Sequence, residues 1–327
     1  MDLLPSLGSS LLSPMVLAFV LGIIATLVRS DLKFPEEVYV ALTVYLLFAI
    51  GMKGGTKLEG MSLSVVGLPL AAAVLLSVAI PVWCFFILRG FVRLDAINAA
   101  AISAHYGSVS AVTFSAVIAF LESSKVSVEG FAPALLAVME APAIIIAVYL
   151  ASSQRQGVAS ASPGDFKRLL HDLLAGKGII LLLGGLVIGL LSGQKGFDQV
   201  APFFDAPFKG VLVLFLLEVG LVTGRRLRDL KSAGWRLVAF ALMMPVAHGF
   251  IGACFGKWSG LGIGGTTVLA TLAASASYIA APAAVRISLP QASPALYLTS
   301  SLALTFPFNV TLGIPLYHTF ARLLHHA

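Results

Sequence analysis

Charge is what this sequence lacks most. Only 11% of its 327 residues are Asp, Glu, Lys or Arg, while 58% are hydrophobic. Soluble domains carry about 25% charged residues, so the solvated surface of an ordinary soluble enzyme is missing. Cysteine is scarce as well. Cys84 and Cys254 are the only two and both fall in apolar stretches, which excludes a disulfide scaffold and favours plain core packing. The alternating ten-residue patterns of an outer-membrane barrel are absent. So is a nucleotide-binding loop: glycine-rich GLGIGGTT (260–267) has no Lys-Ser/Thr after it, which argues against ATP-driven transport by this chain. The opening MDLLPSLGSS has no basic n-region and no evident cleavage site, so residues 15–29 are expected to be a retained helix. The formal charge of +6 does not point to nucleic acid. The basic residues sit in loops beside apolar spans rather than on one amphipathic face.

What is present is long apolar runs, as at 15–28, 65–88, 179–191 and 211–222. They predict an all-α polytopic membrane protein. Ten transmembrane helices are expected, at roughly 11–29, 36–52, 62–89, 95–121, 131–151, 177–192, 207–222, 235–256, 263–287 and 294–318. One polar linker, 152–176, divides them into residues 1–151 and 177–327, five helices each. Loops after the odd-numbered helices carry 14 of the 21 Lys and Arg, including Arg155, Lys167, Arg168, Arg225, Arg226, Arg228 and Lys231. That bias predicts a cytoplasmic linker and both termini outside, in the inner (plasma) membrane of a bacterium.

Five helices per half make the second half enter from the opposite side, so an inverted repeat is expected. Helix 2 ends LFAIGMKGGTKL (47–58) and helix 7 ends LLEVGLVTGRRL (216–227), aligning Gly51 with Gly220 and Gly55 with Gly224. Pro81 matches Pro245, Ser108 and Ser110 match Ser275 and Ser277, and Pro142 matches Pro307. All four correspondences run in one order, at offsets of 164 to 169. Inverted repeats of this kind are characteristic of secondary transporters.

The most informative segments are HYGSVSAVTF (105–114) in helix 4 and AASASYIAAP (273–282) in helix 9. Small residues permit close helix packing, with hydroxyls as cross-links. A functional reading stands beside that one. If helices 4 and 9 are broken and cross at their Ser-x-Ser, the freed amides need protein or a water-filled cavity. A half-helix N-terminus suits a small anion, and half-helix C-termini with Ser and Thr oxygens suit Na⁺. The candidate substrate-binding residues are therefore Gly107, Ser108, Ser110, Ser275, Ser277 and Tyr278. The candidate coupling-ion residues are Thr113, Glu140, Ser110 and Ser277, with Na⁺ or H⁺ as coupling ion and no other cofactor.

Acids inside spans are few, and such groups are functional candidates by default. Glu140 precedes Pro142 in helix 5, and Glu218 lies in helix 7. Each has a structural alternative, as an interfacial or hydrogen-bonded carboxylate. His105 is read either as proton-sensitive or as a neutral ring donating to a backbone carbonyl, and His248 as structural. Arg286 is read as an end anchor. His318, His325 and His326 are placed at or beyond the last helix end, with no ligand set among them.

These residues resemble the sodium-dependent bicarbonate transport family known from cyanobacteria. The likeness is sharpest at GSVSAVTF with LESSKVS (107–127), APAIIIAVYLA (141–151), PVAHGFIG (245–252) and AASAS through LPQASPALY (273–297). The resemblance implies a core and a gate domain, a homotrimer, and inward co-transport of bicarbonate with Na⁺ where the two broken helices cross. It places Ser108, Ser110, Thr113, Ser275 and Ser277 in the binding region. It also implies a PII-type cytoplasmic regulator as partner, although the central linker here is shorter than in the cyanobacterial members. The competing readings are a small organic carboxylate as substrate, a non-transporting sensor or scaffold, and an intramembrane enzyme using His105 with Ser108 or Ser110. The last is weakest, since no acidic residue nearby would orient the His.

Overall fold

A computed structural model describes residues 12–58, 62–153, 171, 175–227 and 230–326. The expected linker at 152–176 therefore lies almost wholly outside the described residues. Every described element is helical, as lipid demands of a backbone that must satisfy its own N–H and C=O groups. In chain order the elements are α1 (Pro14–Leu27), α2 (Glu36–Thr56), α3 (Leu63–Ile87), α4 (Ala96–Gly107), α5 (Ala111–Ser123), α6 (Ala132–Glu140) and α7 (Pro142–Ser153). Then come α8 (Lys177–Phe204), α9 (Phe208–Arg226), α10 (Leu230–Trp258), α11 (Ile263–Ala274), α12 (Ala280–Ser288) and α13 (Pro294–His326).

Seven described helical spans are long and apolar enough to cross a membrane: Glu36–Thr56, Val65–Val92, Ala96–Ser123, Ala132–Ala151, Lys177–Phe204, Ala233–Trp258 and Pro294–His326. The other three expected spans do not meet that description. Helix α1 has only 14 residues. Helix α9 carries Lys209, Glu218, Arg225 and Arg226 within its 19 residues. The expected helix at 263–287 is two short helices, α11 and α12.

Two helices run on past their expected ends. The apolar run of α8 stops at Ser192, but Gly193 adopts φ 60° and the chain continues as an amphipathic helix. Its Phe197 is buried, and Phe203 and Phe204 pack on Tyr45 at 5.4 and 5.5 Å between ring centroids. Helix α13 continues through polar residues to His326. Its His318 and His325 rings meet the hydroxyls of Thr267 and Thr266 on α11, at 3.1 and 3.0 Å.

Helices pair where glycine removes the side chain. A Cβ on Gly55 would lie 2.2 Å from the Leu186 carbonyl oxygen, and one on Gly189 would lie 2.1 Å from that of Met52. These residues hold α2 against α8. Likewise a Cβ on Gly220 would lie 2.1 Å from the Phe19 carbonyl oxygen, and one on Gly22 would lie 2.2 Å from that of Leu217, which holds α9 against α1. Around them α3, α4 and α7 pack together, as do α10, α11 and α13. Small residues drive such contacts in lipid, where burial alone gives little.

Proline breaks the span made by α6 and α7. Pro142 has no N–H to continue the ladder, and hydroxyls meet the carbonyls beside it. Ser77 donates to the Met139 carbonyl and Ser108 to the Glu140 carbonyl, each at 2.9 Å.

Gly55→Leu is expected to prevent α2 from seating on α8, because backbone rather than a flexible side chain stands in the way. Overpacking typically costs about 1–3 kcal/mol, so the variant should elute aggregated or unfold at clearly lower temperature in detergent. Gly67→Leu, with open space around its Cβ, should behave like the parent.

Candidate functional site

Two helix breaks meet at the centre of the molecule. Helix α4 ends at Gly107, and Ser108 (φ −89°, ψ 154°) and Ser110 (φ −113°, ψ 113°) are extended before α5 begins. Helix α11 ends at Ala274, Ser275 is extended (φ −77°, ψ 163°), and α12 begins at Ala280. Serine favours these positions because its hydroxyl bonds nearby backbone and so competes with the helical ladder. The Ser110 hydroxyl accepts the Thr113 N–H and the Ser277 hydroxyl accepts the Ala281 N–H, both at 3.2 Å. Ser110 is thus the N-cap of α5, while Ser277 bonds the second residue of α12 from ahead of its N-cap, Ile279.

The breaks also satisfy one another. The Ser110 N–H donates to the Ser275 hydroxyl at 3.1 Å, and the Ser277 N–H donates to the His105 carbonyl at 2.8 Å. Ser275 in turn donates to the Leu272 carbonyl at 2.8 Å. Three backbone groups that lipid would leave unpaired, the Ser110 and Ser277 N–H and the His105 carbonyl, are thus closed without water.

Between the breaks, Glu140 and the start of α8 lies a cavity of about 160 Å³. Ala111 and Ala280, the first residues of α5 and α12, both line it, so two helix N-termini converge on one space. Ser110, Ser277, Tyr278, Glu140 and Lys177 supply its polar wall. The Tyr278 hydroxyl is buried beside Ser110 without a hydrogen bond of normal geometry. Among the described residues Glu140 is the one carboxylate on the wall, and its Oε2 is buried with no partner. The carboxylate rests on Gly178, where a Cβ would lie 2.5 Å from Oε1. Chemically, the amides and hydroxyls suit an anion, and the unpaired carboxylate suits a cation or a proton.

Of the residues singled out in the sequence, Ser110, Ser277, Tyr278 and Glu140 come together on this wall, while Gly107, Ser108, Thr113 and Ser275 are not on it. Gly107 makes room for packing: a Cβ there would lie 2.5 Å from Pro81 Cδ and 2.7 Å from Ala143 Cβ. Ser108 and Ser275 meet backbone carbonyls, as described, and Thr113 is buried in the first turn of α5. His105 donates from Nδ1 to the Ala101 carbonyl at 2.6 Å and stacks on Tyr297 at 4.6 Å. Among the described residues its ring bonds neither Ser108 nor Ser110, so no nucleophile–base pair forms. His248 accepts from Trp83 Nε1 at 2.8 Å.

Glu218 lies elsewhere, with Oε1 at 3.3 Å from Arg225, in a second crevice that it shares with Tyr278 and Arg286. The glycines of GLGIGGTT prove to be steric. A Cβ on Gly264 would lie 1.9 Å from the Ser127 carbonyl oxygen, and one on Gly265 2.1 Å from Glu129 Oε2. Glu129 accepts the Gly262 N–H at 2.6 Å. Lys177 and Gly178 escaped the sequence reading. Their only signal was a lysine between two glycines, Gly176 and Gly178, opening an apolar run.

The family model for the Na⁺-dependent bicarbonate transporter superfamily matches residues 14–322. No match among curated proteins reaches significance.

Ser275→Ala leaves the buried Ser110 N–H without its acceptor, a loss of about 1–3 kcal/mol. Thermal unfolding in detergent should show a lowered Tm. An unchanged Tm would mean that the contact between the breaks is not structural.

Proposed function

This chain belongs to the Na⁺-dependent bicarbonate transporter superfamily, and from that premise we propose that it is a secondary transporter. It imports bicarbonate or a similar small anion with Na⁺ by alternating access. The observation that carries this reading is the cavity on which two half-helix N-termini and a carboxylate with an unpartnered oxygen, that of Glu140, converge. In it, the α5 and α12 amides, the Ser110 and Ser277 hydroxyls and Tyr278 receive the anion. Glu140 receives Na⁺ or, in its place, H⁺. About 160 Å³ suits an ion of a few heavy atoms and disfavours longer organic carboxylates.

Alternating access requires two interchangeable arrangements, and we propose that ten spans supply them as inverted five-helix repeats, 1–151 and 177–327. Several contacts support this. Gly51 and Gly55 lie on Gly185 and Gly189, while Gly220 and Gly224 lie on Gly22 and Thr26, so both matched glycine pairs serve the same kind of helix contact. The Ser110 and Ser277 hydroxyls each accept a backbone N–H from the first turn of the helix that follows. The same reading carries a multi-pass homotrimer in a bacterial inner membrane, with periplasmic termini and a cytoplasmic linker. A PII-type regulator would bind from the linker side.

The test is uptake of labelled bicarbonate into proteoliposomes. An inward Na⁺ gradient should drive accumulation, and Ser110→Leu or Ser277→Leu should abolish it in protein that still assembles. Glu140→Gln should lower uptake at least tenfold at limiting Na⁺ while expression is maintained. Bicarbonate that equilibrates without Na⁺- or H⁺-driven accumulation would remove the substrate assignment, and an unchanged ion response in Glu140→Gln would make that residue structural.

A further inference from the structure

The two crossing arms end in opposite charges on opposite faces of the molecule. Helix α5 carries Glu122 one residue before its end at Ser123, and α12 carries Arg286 in its last turn. Glu122 is gripped by two lysines. Lys209 Nζ stands 3.0 Å from its Oε2, and Lys53 Nζ 3.7 Å from its Oε1. Lys53 also pairs with Asp205 at 2.7 Å. Lys53 lies near the end of α2 and Lys209 near the start of α9, two helices that pack chiefly on α8 and α1. These pairs therefore bridge the arm to a separate set of helices. Beneath them lies a crevice of about 470 Å³ that reaches Phe114 and Ser115 in the second turn of α5.

On the opposite face the same two helices present acids. Glu36 opens α2 and Glu218 lies midway along α9, and both line a crevice of about 300 Å³ together with Arg286 and Tyr278. Among the described residues Arg286 makes no ion pair; Glu218 holds Arg225 through Oε1 at 3.3 Å while its Oε2 is buried without a partner, and Arg226 also lines this crevice. The signs are exchanged between faces: an acid on the arm meets lysines on one side, and a base on the arm faces acids on the other.

We propose that Glu122 with Lys53 and Lys209, and Arg286 with Glu36 and Glu218, are two ionic latches that close alternately. The structure has the first closed and the second open. When α5 and α12 rock against α2 and α9, Glu122 leaves its lysines as Arg286 reaches its acids. This proposal rests on the alternating-access reading and adds the residues that bias it. Side-chain exposures of 41–59% keep the Glu122 pairs weak, worth no more than about a fivefold shift of a two-state equilibrium. A transporter that must occupy both states needs a bias of that size rather than a lock.

The test uses full-length protein in detergent with Cys84→Ala and Cys254→Ala as background. Labelling by a maleimide is followed at Ala119→Cys, buried on the wall of the first crevice, and at Ala283→Cys, on the wall of the central cavity. Lys53→Gln with Lys209→Gln should speed labelling at 119 about two- to fivefold and slow it at 283. Arg286→Gln should do the reverse. Charge reversal of the whole cluster, Glu122→Lys and Asp205→Lys with Lys53→Glu and Lys209→Glu, should restore the parental rates, since Lys53 also pairs with Asp205. Unchanged rates, or both positions shifting the same way, would overturn the latches. The background protein judges the underlying reading separately, since Na⁺ with bicarbonate should move labelling at 119 and 283 in opposite senses. If it does not, alternating access itself fails. If it does and the lysine variants change nothing, only the latches fall.

Discussion

The structure depends on one obligation: peptide groups released inside an apolar bundle must find partners. An unpaired amide or carbonyl in such surroundings costs several kcal/mol. The breaks at Ser108–Ser110 and Ser275–Ser277 would each be untenable alone. Together they are not, because the Ser110 N–H finds the Ser275 hydroxyl and the Ser277 N–H finds the His105 carbonyl. The crossing is therefore held together by the defects it contains. Mutual pairing also leaves the first turns of α5 and α12 pointing at a shared space instead of at lipid.

Around that crossing the same logic recurs at smaller scale. Ser77 and Ser108 meet the carbonyls beside the Pro142 break, and Glu129 closes the N-terminus of α11. Glycine lets α2 meet α8, and α1 meet α9, at backbone distance. Every buried polar group that is satisfied in this way makes the unsatisfied ones more telling. Glu140 Oε2 and the Tyr278 hydroxyl lack hydrogen bonds of normal geometry on the wall of a cavity that both helix breaks line. An unpaired group of that kind is tolerable where an ion or a proton completes it, which is the physical content of the proposed function.

Much of this was legible in advance. HYGSVSAVTF and AASASYIAAP announced breaks because Gly and paired serines compete with helical bonding wherever they occur. Glu140 stood out because few carboxylates lie in apolar runs. Other features were hidden for definite reasons. The amphipathic end of α8 has no apolar run to mark it, and only the φ of Gly193 shows how the helix continues. The end of α13 looked like a polar tail until His318 and His325 met α11. GLGIGGTT looked like a failed phosphate loop, whereas its glycines admit the 127–129 loop. Lys177 and Gly178 were unremarkable letters whose importance comes from lining the same cavity as Glu140.

By itself the sequence determined helicity, the apolar spans, and where the chain would depart from helix. Those follow from side-chain transfer energies and local backbone preferences, which act over a few residues. Only the tertiary structure decided what the departures do. The partner of Ser110 lies 165 residues away, and Ser108 rather than Ser110 turns to the Glu140 carbonyl. Which serine faces the cavity and which closes a backbone bond depends on how distant helices pack. No local preference carries that information, because the hydrogen-bonding chemistry of the serines is the same until the crossing brings their neighbours together.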